Sequence, residues 1–134
     1  MQTIKTIIFL AVACILSVVR ADEITKLRPV IKEVAAQHKL DPVLMEAIMR
    51  HESGHGKSKL AKNKNNLAGI MGRKGPRSYS SKSECVKHLG SILAKYKANG
   101  RVTVHQIGKK YCRTGGWATK VMVHMRAIKA GKHN

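Results

Sequence analysis

The chain has 134 residues, with 26 Lys and Arg against seven Asp and Glu for a formal net charge of +19, and 43% of its residues are hydrophobic. That length holds one domain or two very small ones and excludes a large cofactor-binding α/β enzyme, while the apolar fraction argues against global disorder. Aromatics are only 4%, too few for a stacking platform on single-stranded nucleic acid; the charge calls for an anionic partner, with nucleic acid, anionic lipid and bacterial cell wall all compatible.

Residues 1–21 read as a secretory signal peptide. Lys5 supplies a positive start, and Ile7 to Leu16 is an uncharged run long enough for a signal core and too short for a membrane span. Val19 and Ala21 put modest side chains before a cut ahead of Asp22. The expectation is export to the periplasm or the extracellular space, leaving residues 22–134 as a single domain with no stable membrane insertion. Lys5 and Arg20 depart with the peptide, so the mature charge is +17. Cys85 and Cys112 remain, and an oxidising destination makes them a candidate disulfide.

The apolar residues Ile24, Leu27, Val30, Ile31, Val34 and Ala35 recur at helical spacing, with Pro29 in a first turn. Asp41-Pro42 is an N-cap followed by Pro at the first helical position. It opens a second amphipathic helix through Leu44, Met45, Ala47 and Ile48, which Gly54 and Gly56 end. Residues 57–80 are basic, carry no acid and read as an irregular segment with a tight turn or short hairpin at Gly69–Gly75. Ser81 and Glu84 form a capping-box pattern ahead of a third helix whose inner face is Cys85, Leu89, Ile92, Leu93 and Tyr96. A short fourth helix follows Thr103, and a fifth starts near Trp117 with Val121, His124, Met125 and Ile128 on one face. The fold class is therefore mainly α.

Two chemistries compete for His51-Glu52-Ser53-Gly54-His55. The string matches H-E-x-x-H, in which two histidines on one helical face hold zinc and the glutamate acts as base of a metalloprotease. Gly54 and Gly56 flank the second histidine, however, and no further histidine follows at next-turn spacing for a third ligand. The other reading follows from Leu44, Ile48 and Glu52 sharing one helix face. An acid half-buried against apolar neighbours at a helix break holds its proton more tightly than one in water, as donation to a glycosidic oxygen requires. This second reading needs neither metal nor cofactor.

A family resemblance bears on that choice. Residues 45–58, with Glu52-Ser53-Gly54 and Gly56-Lys57-Ser58, resemble the catalytic helix of peptidoglycan-cleaving glucosaminidase and lysozyme-like domains of the flagellar muramidase type. Asn65-Asn66-Leu67-Ala68-Gly69-Ile70 is similar to the family's Asn-Asn-Leu-Phe-Gly-Ile turn, with Ala68 in place of Phe. Arg77-Ser78-Tyr79 resembles its Tyr-containing strand end, and Tyr111 to Val121 its closing Tyr-Ala-Thr segment and last helix. The resemblance runs over about residues 40–128 and implies a lysozyme-like α+β fold with a reduced β-hairpin region around residues 66–80. It implies Glu52 as general acid and Tyr111 across the cleft, placing a water or steadying the sugar transition state. Ser53, Asn66, Tyr79 and Trp117 are the implied substrate contacts, although Tyr111 also fits an ordinary core tyrosine and Trp117 a helix-packing aromatic.

The short segment 53–83 carries no Asp or Glu, where longer members of the family have a hairpin that brings a second carboxylate. A single acid suffices if the substrate's own N-acetyl group or 6-hydroxyl acts as nucleophile, the latter being the lytic transglycosylase outcome. The partner that follows is bacterial peptidoglycan, met by a monomer, with anionic envelope polymers attracted by the charge and nucleic acid not expected. The rival readings are the zinc protease and a non-enzymatic cationic binder of envelope polymer or nucleic acid.

Overall fold

The computed structural model describes residues 20–112 and 115–133. Of the 1–21 signal-peptide reading, residues 1–19 lie outside the described residues. Among the described residues the chain forms α1 (Glu23–Lys26), α2 (Arg28–His38), α3 (Pro42–Ser53) and α4 (Lys59–Lys64), then the strands β1 (Met71–Gly72) and β2 (Gly75–Pro76), then α5 (Lys82–Ala98), α6 (Val104–Tyr111) and α7 (Trp117–Lys129). The strands pair antiparallel, Met71 with Pro76 and Gly72 with Gly75. The fold is mainly helical with one small hairpin inside the expected 66–80 region, in line with a lysozyme-like α+β architecture.

The core is built around α3. Asp41 caps it by accepting from the Val43 amide at 2.8 Å, and every residue from Leu44 to Arg50 is buried. A helix buried on all sides is surrounded by other elements, and α3 packs most extensively against α7 and also against α2. α2 in turn rests on α5, where Gly90 lets the two backbones approach: a Cβ there would collide with the Val34 side chain. The helix stops at Ser53 because Gly54 takes the left-handed conformation at φ 55°, followed by His55 at φ 59°.

Several local expectations change. The first helix is two, broken at Leu27, with Pro29 in the first turn of α2 where its missing N–H costs little. The basic segment is not wholly irregular: Ser58 accepts from the Ala61 amide at 3.1 Å and starts α4. Ser81 caps α5, but Glu84 turns outward to Lys87 at 3.0 Å rather than back to the cap. The reciprocal capping box is instead that of Thr103 and Gln106 on α6.

The expected disulfide is not formed: neither Cys85 nor Cys112 is in a disulfide in the structure. Cys85 is buried on α5, where burial pushes its thiol up against the opposing effect of the Leu67 and Ala68 backbone. Cys112 ends α6 and borders a recess shared with Trp117 and His105. The one is enclosed within α5 and the other ends α6, and a bridge demands facing Cβ atoms about 4 Å apart.

Candidate active site

Glu52 lies in the last turn of α3, half-buried. The Trp117 indole Nε1–H donates to its Oε1 at 2.7 Å. Trp117 opens α7 behind the left-handed Gly116 and is only 4% exposed. The strong packing of α3 on α7 thus sets the distance between carboxylate and indole. Glu52 Oε2 accepts no hydrogen bond among the described residues and lies beside Gly69. Gly69 adopts φ +64°, and a Cβ on it would stand 3.0 Å from Oε2. Both the backbone conformation and this approach require glycine there.

Tyr111 does not touch Glu52. Its ring stacks on Trp117 with centroids 5.2 Å apart and planes at 27°, and its hydroxyl donates to the Ala68 carbonyl. Burial, and then the charge of Glu52, push its phenol well above the usual range. Tyr111 therefore stays a neutral donor and braces the indole while tying α6 to the 66–70 turn. Beyond it, Gly69, Ile70, Met71, Ile92, Tyr96 and Tyr111 line a cavity of about 210 Å³. Gly69, which stands beside the carboxylate, is one wall of this cavity.

The other sequence-derived site residues are placed differently. Ser53 is buried, its hydroxyl donating to the Met49 carbonyl and accepting from the Gly56 amide at 2.8 Å. Asn66 is 1% exposed, with its Nδ2 on the Ile70 and Arg77 carbonyls at 2.9 and 3.0 Å and its Oδ1 on the Ile70 amide at 3.1 Å. Both are buried with their polar atoms already satisfied by backbone, Asn66 bracing Ile70, which lines the cavity. Tyr79 is half-buried, its hydroxyl 2.6 Å from His88 Nδ1 and its phenol pushed up to about 12 by burial. It stands with α5 rather than beside Glu52. Gly69 was not singled out from the sequence as a site residue, and the Asn-Asn-Leu-x-Gly-Ile string was the signal that could have found it.

The H-E-x-x-H string does not build a two-histidine face, because the helix ends before His55. The rings of His51, His124, His55 and His133 follow one another at centroid distances of 6.0, 5.2 and 5.1 Å. Asp22, His55 and His133 bring candidate ligand atoms within 4.8 Å of one another. Arg50 already supplies a cation there: its Nη1 donates to Asp22 Oδ2 at 2.7 Å and lies 3.2 Å from His55 Nδ1. A divalent ion would meet a fixed, fully buried guanidinium, so this donor set does not fit one. Glu52 meanwhile faces Trp117 and Gly69, away from a role as base on a zinc-bound water.

Residues 28–130 match the family model Glucosaminidase, described as mannosyl-glycoprotein endo-beta-N-acetylglucosaminidase. No curated protein matches the chain.

Proposed function

The chain belongs to the glucosaminidase family, and on that premise we propose that it is an exported glycoside hydrolase that cleaves the glycan strands of peptidoglycan with Glu52 as general acid. The observation that carries the proposal is the asymmetry of the Glu52 carboxyl. One oxygen is held by a neutral indole N–H at 2.7 Å, and the other, beside Gly69, accepts from no donor among the described residues. A proton on this second oxygen is positioned for transfer to a glycosidic oxygen in the cleft. The leaving sugar takes that proton as its new hydroxyl, and positive charge develops on the anomeric carbon.

The electron pair that quenches this charge comes from the substrate or from water. Most of the other carboxylates are engaged elsewhere, which supports that division of labour. Asp22 and Glu46 face Arg50, Glu23 faces Lys26, Glu84 faces Lys87, and Asp41 caps α3. Attack by the 2-acetamido oxygen followed by water gives a reducing sugar. Attack by the 6-hydroxyl, with loss of its proton to Glu52, gives a 1,6-anhydro sugar. In both routes Tyr111 holds the indole that holds the acid.

Incubation of the mature chain with purified peptidoglycan, with and without a chelator, followed by mass spectrometry of the products, tests this. Soluble glycan fragments formed regardless of chelator are expected, and their mass distinguishes the hydrated from the anhydro end. Intact glycan with cut peptides, or binding without any cleavage, would overturn it.

A further inference from the structure

We propose that α4 and the β1–β2 hairpin form one docking surface for a phosphodiester polymer without nucleobases, such as a chain of polyol-phosphate repeats, lying beside the cleft. The proposal rests on the glycan-cleaving reading for the meaning of that cleft, though not for the binding itself.

Charge there is uncompensated. Residues 53–83 hold eight Lys and Arg and no acid, and residues 85–134 hold eleven and no acid, whereas residues 20–52 hold six of each; what sets the first group apart is the short platform that carries it. Lys59, Lys62, Lys64, Arg73, Lys74 and Arg77 form no ion pair among the described residues, as is also true of the C-terminal lysines, while Lys26, Arg28, Arg50 and Lys87 all do. Like charges gathered without counter-ions repel one another and lower the stability of the compact state. A bound polyanion relieves that repulsion and releases its own counter-ions.

The charges sit on a pinned platform. The Tyr79 amide donates to the Lys64 carbonyl at 2.9 Å, Asn65 Nδ2 to the Tyr79 carbonyl at 3.1 Å, and Lys64 Nζ to the Pro76 carbonyl at 3.3 Å. Asn66 clamps the two arms of the hairpin through Ile70 and Arg77. The backbone carrying the cations is thereby ordered before any ligand arrives, which reduces the entropy lost on binding. The same strand begins at the cavity wall: Gly69, Ile70 and Met71 line the cleft, and Gly72 to Arg77 follow directly around an open recess.

The chemistry of the surface selects the partner. Tyr79 is the sole aromatic in residues 53–83, and its hydroxyl is engaged by His88. No ring is free to stack on a base, so nucleic acid gains nothing over any other phosphate chain. Met71 is the one large apolar side chain of the hairpin exposed, at 63%, too little to enter a bilayer.

Binding of the mature chain to soluble poly(glycerol phosphate) tests the proposal, alongside single-stranded DNA of equal phosphate count, anionic phospholipid vesicles, and peptidoglycan stripped of phosphate polymers. Two fourfold variants are compared, K59Q/K62Q/R73Q/K74Q on the surface and K109Q/K120Q/R126Q/K129Q on the C-terminal helices, each checked for an unchanged melting curve. The surface variant is expected to lose at least tenfold in affinity for poly(glycerol phosphate). Its log-affinity against log-salt slope should flatten by roughly two to three units, on the order of 0.7 for each phosphate no longer neutralised. It should keep its turnover on stripped peptidoglycan. Equal losses in the two variants, or tighter binding to DNA or vesicles, would overturn the proposal. If neither protein cleaves stripped peptidoglycan while the binding difference persists, the catalytic reading fails and the docking surface stands.

Discussion

Glu46 and Glu52 share one helix, six positions apart, and their surroundings differ in every respect. Glu46 is 4% exposed and its oxygens take Arg28 at 2.9 Å and Arg50 at 2.8 Å. Arg50 is fully buried and continues the network to Asp22 and to Thr25 Oγ1 at 3.0 Å. Burial resists ionisation of Asp22, but hydrogen bonds from Arg50 and the Thr25 amide overcome it and lower its carboxyl to about 2. Among the described residues Glu52 has one neutral donor, on Oε1, and none on Oε2. A carboxylate enclosed by guanidiniums organises the fold, whereas one left half-buried beside a cavity-lining glycine can exchange a proton with a ligand. The comparison teaches that residue type and helical position do not separate the two roles; the charge of the neighbours does.

The sharpest way to break the contrast is Glu52→Gln, which keeps the hydrogen bond from Trp117 and removes the transferable proton. Turnover on peptidoglycan should fall by roughly 10²–10⁴-fold with little change in melting temperature. Near-normal turnover would remove Glu52 from the chemistry.

Glu46→Gln should do the reverse. It leaves the buried Arg50 and its neighbour Arg28 without their shared counter-charge and costs about 3 kcal/mol of stability or more, read by denaturant unfolding. Turnover per folded molecule should hardly change. If stability is unaltered, the network is not what holds α3 to the N-terminal segment.

Trp117→Phe keeps the aromatic stack with Tyr111 and deletes the N–H to Glu52. A hydrogen bond to a charged group contributes about 1.5–3 kcal/mol, so kcat should drop by roughly tenfold or more while KM moves little. An equal rise in KM alone would make Trp117 a substrate contact rather than a positioning residue for the acid.

The smallest effect concerns the histidines near the Glu46 end. Burial, then Arg50, lowers His55 below its ordinary 6.5; burial and neighbouring rings or Arg50 lower His124 and His133 likewise. Unfolded histidines therefore bind protons at a higher pH than folded ones. Their contribution to stability is complete above about pH 6.5 and is lost as pH falls through the lowered values. The melting temperature should therefore fall between pH 7.5 and 5.5. A flat or rising profile over that interval would contradict the burial of this cluster.

Much of the helical frame was legible in the sequence. Asp41-Pro42 marked the start of α3 and Gly54 its end, because caps and left-handed turns are local chemistry confined to a few residues. Ser58 was as good an N-cap as Asp41, yet α4 went unread, since a six-residue helix among lysines has no apolar periodicity to announce it. The Ser81–Glu84 pattern promised a capping box, and the nearby Lys87 took the glutamate instead. The cysteines show the limit plainly: compartment chemistry permits a bridge, but only the tertiary positions of Cys85 and Cys112 decide whether it forms, and in the structure it does not.

The sequence by itself determined that the domain is mostly helical and strongly basic, and that Glu52 ends an apolar helix face at a glycine break. These follow from composition, period and local turn preference. Tertiary structure alone decided which groups meet Glu52. Its indole donor comes from a residue 65 positions away, and the glycine beside it from another helix connection. It also decided that His55 faces Arg50 rather than a zinc-binding partner, and that Ser53 and Asn66 are buried with their polar atoms already satisfied. Such contacts depend on how α3 packs on α7 and on the 66–70 turn. Long-range packing of that kind leaves no mark in the spacing of any one segment.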